Sequence, residues 1–175
     1  MLGGQFDLIL WFLAGNGDGT FQRPQQIGVV QNTAWCDGSP VVQASDFNGD
    51  GKLDLAFCDS SQIGVMLGNG DGRFQPPTFY TADPTGQRLF TFAVGDINSD
   101  GKPDLIVSEY PTDFGSTFVV MLGNGDGTFQ SPLVIASGLE VPLAETSITV
   151  GDFNADGLLD AAFQNDVGMY VYLQQ

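Results

Sequence analysis

Three acidic side chains fall within nine residues in Asp46-Phe47-Asn48-Gly49-Asp50-Gly51-Lys52-Leu53-Asp54. Counting Asp46 as position 1, oxygen-bearing side chains stand at positions 1, 3, 5 and 9, with glycine at position 6. Alternating hard oxygen donors in a short loop suit Ca²⁺, which takes about 6 to 8 oxygens at flexible geometry. Mg²⁺ demands a stricter octahedron and keeps its waters. Glycine at position 6 permits a sharp turn. The loop can close on itself through the position-9 carboxylate and a main-chain carbonyl at position 7. A bound cation offsets the repulsion among three neighbouring carboxylates.

The pattern occurs three times. Asp46, Asn48, Asp50 and Asp54 are matched by Asp96, Asn98, Asp100 and Asp104, and again by Asp152, Asn154, Asp156 and Asp160. One such loop could be a solvated turn; three that share all four side-chain positions point to metal. An EF-hand would need a bidentate Glu at position 12 and flanking helices. Position 12 is Phe57, Val107 or Phe163 here, and the flanks carry strand patterns. The apolar run after each loop is expected to be a strand entering the core.

The rest of the composition narrows the chemistry. The chain has 175 residues, 42% of them hydrophobic, and a formal net charge of −16 from 21 acids and 5 bases. Such a surface repels nucleic acid and anionic membranes and attracts cations. Histidine is absent, which removes histidine acid–base catalysis and the commonest transition-metal ligand. Cys36 and Cys58 form no C-x-x-C pair, so a zinc site is excluded. A disulfide and two small buried thiols both remain open for them. The glutamates Glu109, Glu140 and Glu145 have no recognisable catalytic partner and read as solvated surface residues. No stretch reaches the roughly 20 apolar residues of a membrane span. The run from Leu8 to Ala14 lacks a basic segment before it and leads into a repeated element. It is therefore expected to be mature structure, with any export signal lying outside this sequence.

A second element repeats in step with the first. "LAGNGDGTFQ" from Leu13 returns as "LGNGDGRFQ" from Leu67 and "LGNGDGTFQ" from Leu122. Two independent markers with a shared period of roughly 50 to 56 residues indicate a repeat architecture. Each period reads as four short strands, here A to D, with the acidic loop joining A to B and an Asn-Gly-Asp-Gly hairpin joining C to D. In one period the expected strands are 92–97, 104–109, 118–122 and 129–136. Asp18, Asp71 and Asp126 are then plain hairpin residues. No sustained helical period is present, and 24 glycines argue against long helices. The predicted class is all-β, with four-stranded antiparallel β-propeller blades and about three blades per chain. The expected division is C and D strands of a truncated blade in 1–40, complete blades in 41–82 and 83–138, and A, B and C strands in 139–175, all within one repeat domain.

The D-x-N-x-D-G-x-x-D-L loops followed by "VMLGNGDGTF" resemble FG-GAP/VCBS repeats, which also build the calcium-binding propeller of integrin α subunits and occur in many secreted bacterial proteins. The resemblance covers nearly the whole chain. It departs at the N-terminus, where no acidic loop precedes the segment from Leu8. It implies about three Ca²⁺ per chain, held in the A–B loops by the residues named above. The carbonyls of Lys52, Lys102 and Leu158 would be further ligands. Three bound ions would move the formal charge from −16 to about −10 by charge addition.

The expected function is a calcium-stabilised, extracellular or cell-surface module that is not an enzyme and presents loops to a protein or glycan. The alternative is a propeller part of a larger secreted hydrolase or lyase. Recognition is expected in the connectors that differ between repeats, with Trp35 the aromatic candidate. Three blades are fewer than the about 4 to 8 that close a propeller. Two copies could share composite blades in a six-bladed, two-fold homodimer, with one C strand surplus at each junction. The competing expectation is a segment of a longer propeller.

Overall fold

The computed structural model describes residues 6–33, 41–82, 89–109, 116–139, 147–164 and 168–174. Among these there is no helix, and hence none long and apolar enough to cross a membrane. Among the described residues thirteen strands form four antiparallel sheets. The first pairs β1 (Phe6–Phe12) with β2 (Gln25–Thr33). The second runs in sequence order through β3 (Val42–Ser45), β4 (Asp54–Asp59), β5 (Gln62–Met66) and β6 (Thr78–Thr81). The third does the same with β7 (Leu89–Gly95), β8 (Asp104–Glu109), β9 (Ser116–Met121) and β10 (Leu133–Leu139). The fourth holds β11 (Ser147–Gly151), β12 (Asp160–Gln164) and β13 (Met169–Tyr172).

Side-chain alternation along the strands explains how the sheets stack. Leu105 and Val107 of β8, with Val119 and Met121 of β9, pack against Ala56, Ile63 and Val65 of the second sheet. Ile106, Phe118 and Val120 point the other way, onto Ile148, Ala161 and Phe163 of the fourth. The third sheet is thus covered on both faces, and β8 is buried along its whole length. Each fully buried apolar side chain contributes about 1.5–3 kcal/mol relative to exposure. A smaller cluster of Phe57 and Met66, with Leu10 and Phe74, joins the first sheet to the second. The first strands β3, β7 and β11 are neighbours along one side of the stack.

Two expectations are corrected. The fourth strand of a period starts later than its sequence pattern implied: β10 begins at Leu133, not at 129, and β2 likewise begins only at Gln25. Phe21, Phe74 and Phe129 make isolated bridges to Gly15, Gly68 and Gly123, and the ladder resumes beyond. Pro24, Pro76-Pro77 and Pro132 occupy the gap, and proline has no N–H to give a ladder. Glu109 is 3% exposed rather than solvated, because it ends the strand that is sandwiched on both faces. Glu140, Glu145 and Trp35 lie outside the described residues. Cys58 is disulfide-bonded. The other cysteine of the sequence, Cys36, also lies outside them.

Candidate metal centre

The three acidic loops fold alike, each between the first and second strands of a sheet. In the first, Asp46 accepts the N–H of Asp50 at 3.1 Å on one carboxylate oxygen and that of Gly51 at 2.8 Å on the other. Asn48 Oδ1 accepts the same Asp50 N–H at 3.0 Å, and Asp50 Oδ1 that of Lys52 at 2.9 Å. Asp96, Asn98 and Asp100 repeat this scheme at 2.9 to 3.0 Å. Asp152, Asn154 and Asp156 repeat it at 2.9 to 3.1 Å. Positions 1, 3 and 5 are therefore drawn around one turn of backbone. The backbone itself is unusual. Position 6 has positive φ throughout, at Gly51 (80°), Gly101 (82°) and Gly157 (90°). Position 4 does too, and there Ser99 (59°) and Ala155 (62°) adopt it without being glycine. Non-glycine residues held in this region cost of order 1–3 kcal/mol and cluster at functional sites.

Position 9 plays a different part. Asp54, Asp104 and Asp160 are 0%, 0% and 1% exposed, and both oxygens of each accept main-chain N–H groups. Asp54 binds Phe47 N at 2.9 Å and Gly68 N at 2.7 Å. Asp104 binds Ile97 N at 2.9 Å, Asn98 N at 3.3 Å and Gly123 N at 2.7 Å. Asp160 binds Phe153 N and Gln174 N, both at 2.9 Å. Each of these carboxylates clasps the start of its loop to the end of the third strand of its sheet. A Cβ on Gly68 or Gly123 would press into the carbonyl oxygen of Leu53 or Pro103, so the clasps of Asp54 and Asp104 require glycine there. Composition shows the glycine; only the fold shows its reason.

The electrostatics separate the positions. Burial pushes the Asp54 carboxyl up. Its N–H donors oppose that, and the charges of Asp50 and Asp46 push it further. Burial raises Asp104 as well, with Asp100 adding repulsion. Asp50 is held low, first by the side chain of Lys52 and then by the Lys52 N–H. For Asp100 burial works upward, but hydrogen bonds from Asn98 and Lys102 outweigh it. The ammonium groups of Lys52 and Lys102 lie 3.1 and 3.5 Å from Asp50 and Asp100.

Among the described residues, no three Asp, Glu, Cys or His side chains gather tightly enough to hold a metal on their own. The donor set of these loops is wider than that. It includes the Asn oxygens and the position-7 carbonyls of Lys52, Lys102 and Leu158, donors that a hard cation accepts alongside carboxylates. The mutual repulsion within the first two loops marks places where positive charge is stabilising. The residues present fit Ca²⁺ in chemistry.

The Asn-Gly-Asp-Gly hairpins have an internal logic. Asp18 and Asp126 each accept the N–H and the hydroxyl of the threonine two residues on, and Asp71 accepts the Arg73 N–H. These are side-chain-closed turns. The hairpins also dock on neighbours. Gly127 N donates to Phe47 O at 2.9 Å, and the Tyr80 hydroxyl donates to Gly127 O at 3.0 Å. Phe129 packs edge-on against Phe47 and Tyr80. The hairpin of the third sheet thus plugs into the acidic loop and last strand of the second.

One concave surface was not evident from the sequence. A cavity of about 630 Å³ between the first two sheets is lined by Trp11, Phe12, Leu53, Phe74 and the cations Lys52 and Arg73. Trp11 is 55% exposed. In sequence Trp11 stands within the apolar run from Leu8 to Ala14, where nothing marks it out from its neighbours.

Repeated antiparallel sheets joined by oxygen-rich loops define a class of repeat protein. Residues 46–107 match the model of the FG-GAP-like repeat. Over 104 residues the chain is 32% identical to human integrin alpha-7, covering 50% of this chain and 9% of that one. Among solved structures, a lectin from Agrocybe aegerita matches with a TM-score of 0.60 and 25% identity, covering 87% of this chain and 40% of that one. That structure is described as the basis of specific recognition of non-reducing terminal N-acetylglucosamine. The chain therefore spans less than half the length of either protein.

Proposed function

We propose that the chain is a non-enzymatic, calcium-stabilised β-propeller segment that works outside the cell and binds a glycan. The observation that carries the calcium part is the threefold recurrence of one loop geometry. In each loop Asp, Asn and Asp oxygens surround a tight turn with positive φ at positions 4 and 6. Asp46, Asn48, Asp50 and the Lys52 carbonyl would hold one ion, and the matching residues of the other loops would hold two more. Asp54 and Asp160 keep a second lone pair on each oxygen for a ligand role beside their clasp, and Asp104 keeps one on the oxygen that faces Gly123. When bound, the ion supplies charge neutralisation and fixes the loop.

The propeller part is supported by four-stranded sheets in sequence order, stacked face to face with their first strands adjacent. The integrin relative supports an extracellular setting. The glycan part is supported by the lectin neighbour and by the cavity around Trp11. An indole face stacks on a sugar ring, and Arg73 supplies donors for hydroxyls. Isothermal titration of chelator-stripped protein with Ca²⁺ tests the first part, and absence of uptake sinks it. A glycan array with and without chelator tests the second. Binding should fall when Trp11 is replaced by Ala, and an array blank under both conditions refutes it. Turnover of an ester or glycan substrate that a chelator abolishes would favour the hydrolase or lyase alternative instead.

A further inference from the structure

The plug seen between the second and third sheets has a vacant counterpart one sheet further on. Phe129 sits against Phe47, the second residue of an acidic loop, and Tyr80, six residues after Phe74. The corresponding residues in the next repeat are Ile97 and Ile135. Both line an apolar cavity of about 330 Å³ between the third and fourth sheets, with Phe118, Phe163, Tyr172 and Gln174. This exceeds the roughly 150 Å³ that holds a benzene ring. The first sheet has the complementary fault. Its hairpin carries Phe21 in the place of Phe129, and Phe21 is 67% exposed.

A second mismatch sits beside the first. Gly68 and Gly123 donate to Asp54 and Asp104, and neither could carry a Cβ. In the fourth sheet Gln174 makes that donation to Asp160, and its side-chain oxygen is buried with no hydrogen-bond partner. The matching residue of the first sheet is Gly15, where a Cβ would meet open space.

We infer that the β1–β2 hairpin of a second copy takes the place of β13 beside β12, with its Phe21 in the cavity at Ile97 and Ile135 and its Gly15 at Asp160. The exchange replaces the misfitting Gln174 by glycine and lets its buried oxygen return to water. It also resolves which third strand gives way: β13, whose Met169 and Val171 are exposed, yields to β1. Done reciprocally, two copies close a two-fold ring of six four-stranded sheets, within the range of about 4 to 8 for propellers. The inference rests on the propeller reading of the sheets and is independent of calcium and glycan.

Light scattering on the full chain at rising concentration gives the first test, with twice the 18.6 kDa chain mass expected. Phe21→Ala should raise the dissociation constant by about 30-fold, the loss of one aromatic anchor. Ile135→Asp should do the same from the socket side. Both residues are exposed in the single chain, and circular dichroism of the monomers should be unchanged. A photo-crosslinker at position 21, in a mixture of heavy- and light-isotope copies, should join Phe21's position to the peptide holding Ile97 or Ile135 of the other isotope. A monomer at all concentrations overturns the inference, as does a dimer indifferent to both substitutions or a crosslink confined to one copy. A monomer that takes up calcium and glycan overturns closure alone. Calcium-free, glycan-blind dimers overturn the functional reading alone.

Discussion

Asp104→Ala separates the clasp from the metal ligands. Asp104 is fully buried, and its carboxylate accepts Ile97 N at 2.9 Å and Gly123 N at 2.7 Å, with Asn98 N at 3.3 Å. Alanine leaves the two short donors without an acceptor, at about 1–3 kcal/mol each. Release from a buried carboxylate, which burial has pushed up in pKa, returns part of that. A net loss of about 2–4 kcal/mol remains, a large share of the roughly 5–15 kcal/mol that holds a domain. At about 2–4 °C per kcal/mol for a chain of this size, the melting temperature should fall by about 4–16 °C. The assay is thermal unfolding in excess chelator, where no metal contributes. Asp50→Ala is the control: Asp50 is solvent-facing and should change the chelated melting point no more than ordinary surface substitutions do. If Asp104→Ala melts with wild type in chelator, or if both variants lose equal stability, the division between clasp and ligand is wrong.

The remaining predictions bear on other parts of the same scheme. In calcium, Asp50→Ala should lose one of about three binding events by titration, since it removes a charged ligand from position 5. Gly123→Ala should destabilise by about 1–3 kcal/mol, the usual cost of forcing atoms into a packed site; urea unfolding that matches wild type would contradict the clasp geometry. The Tyr80 hydroxyl is pushed up in pKa by burial first and then by Asp126. Its contribution is therefore fully present below about pH 10, the unfolded value, and is lost as pH rises through the higher folded value. Tyr80→Phe should flatten that alkaline limb in stability measurements from pH 8 to 12, and an unchanged limb would refute the assignment.

Strands and loops were legible because their signals are local and repeated. The acidic loops, the third-strand runs and the Asn-Gly-Asp-Gly turns each carry residue types with a specific backbone requirement, and β8 falls where the pattern put it. The fourth strands were displaced because β-propensity ignores the missing N–H of Pro24, Pro76, Pro77 and Pro132. Position 9 was read as a ligand equal to positions 1, 3 and 5. Its burial and its bonds to Gly68 and Gly123 depend on a strand 14 or 19 residues away, and no local pattern encodes that. Glu109 was misplaced for a related reason: that β8 is covered on both faces is a property of the stack, not of the strand. Trp11 stands in a strand whose two faces cannot be told apart until the second sheet is set beside it.

The acidic loops and the sheet contacts are one structure rather than two. Phe47 lies between two ligand positions, donates its N–H to Asp54, gives its carbonyl to Gly127 of the next sheet and packs its ring on Phe129. Any change that stiffens the loop from 46 to 54 acts on both ends of that residue. A cation held by Asp46, Asn48 and Asp50 would then stabilise the contact between the second and third sheets as well as its own loop. Linkage fixes the sign: a ligand that binds only the ordered loop stabilises whatever is ordered with it, by RT ln(1 + [L]/Kd). Truncating Phe129 should in turn weaken calcium at the first loop while sparing the third, since Phe153 lies 52% exposed with no such ring against it among the described residues. Site-resolved titration of Phe129→Ala, each loop followed by its own reporter, measures that difference. Equal weakening at both loops, or none at either, would show that loop and interface are ordered separately.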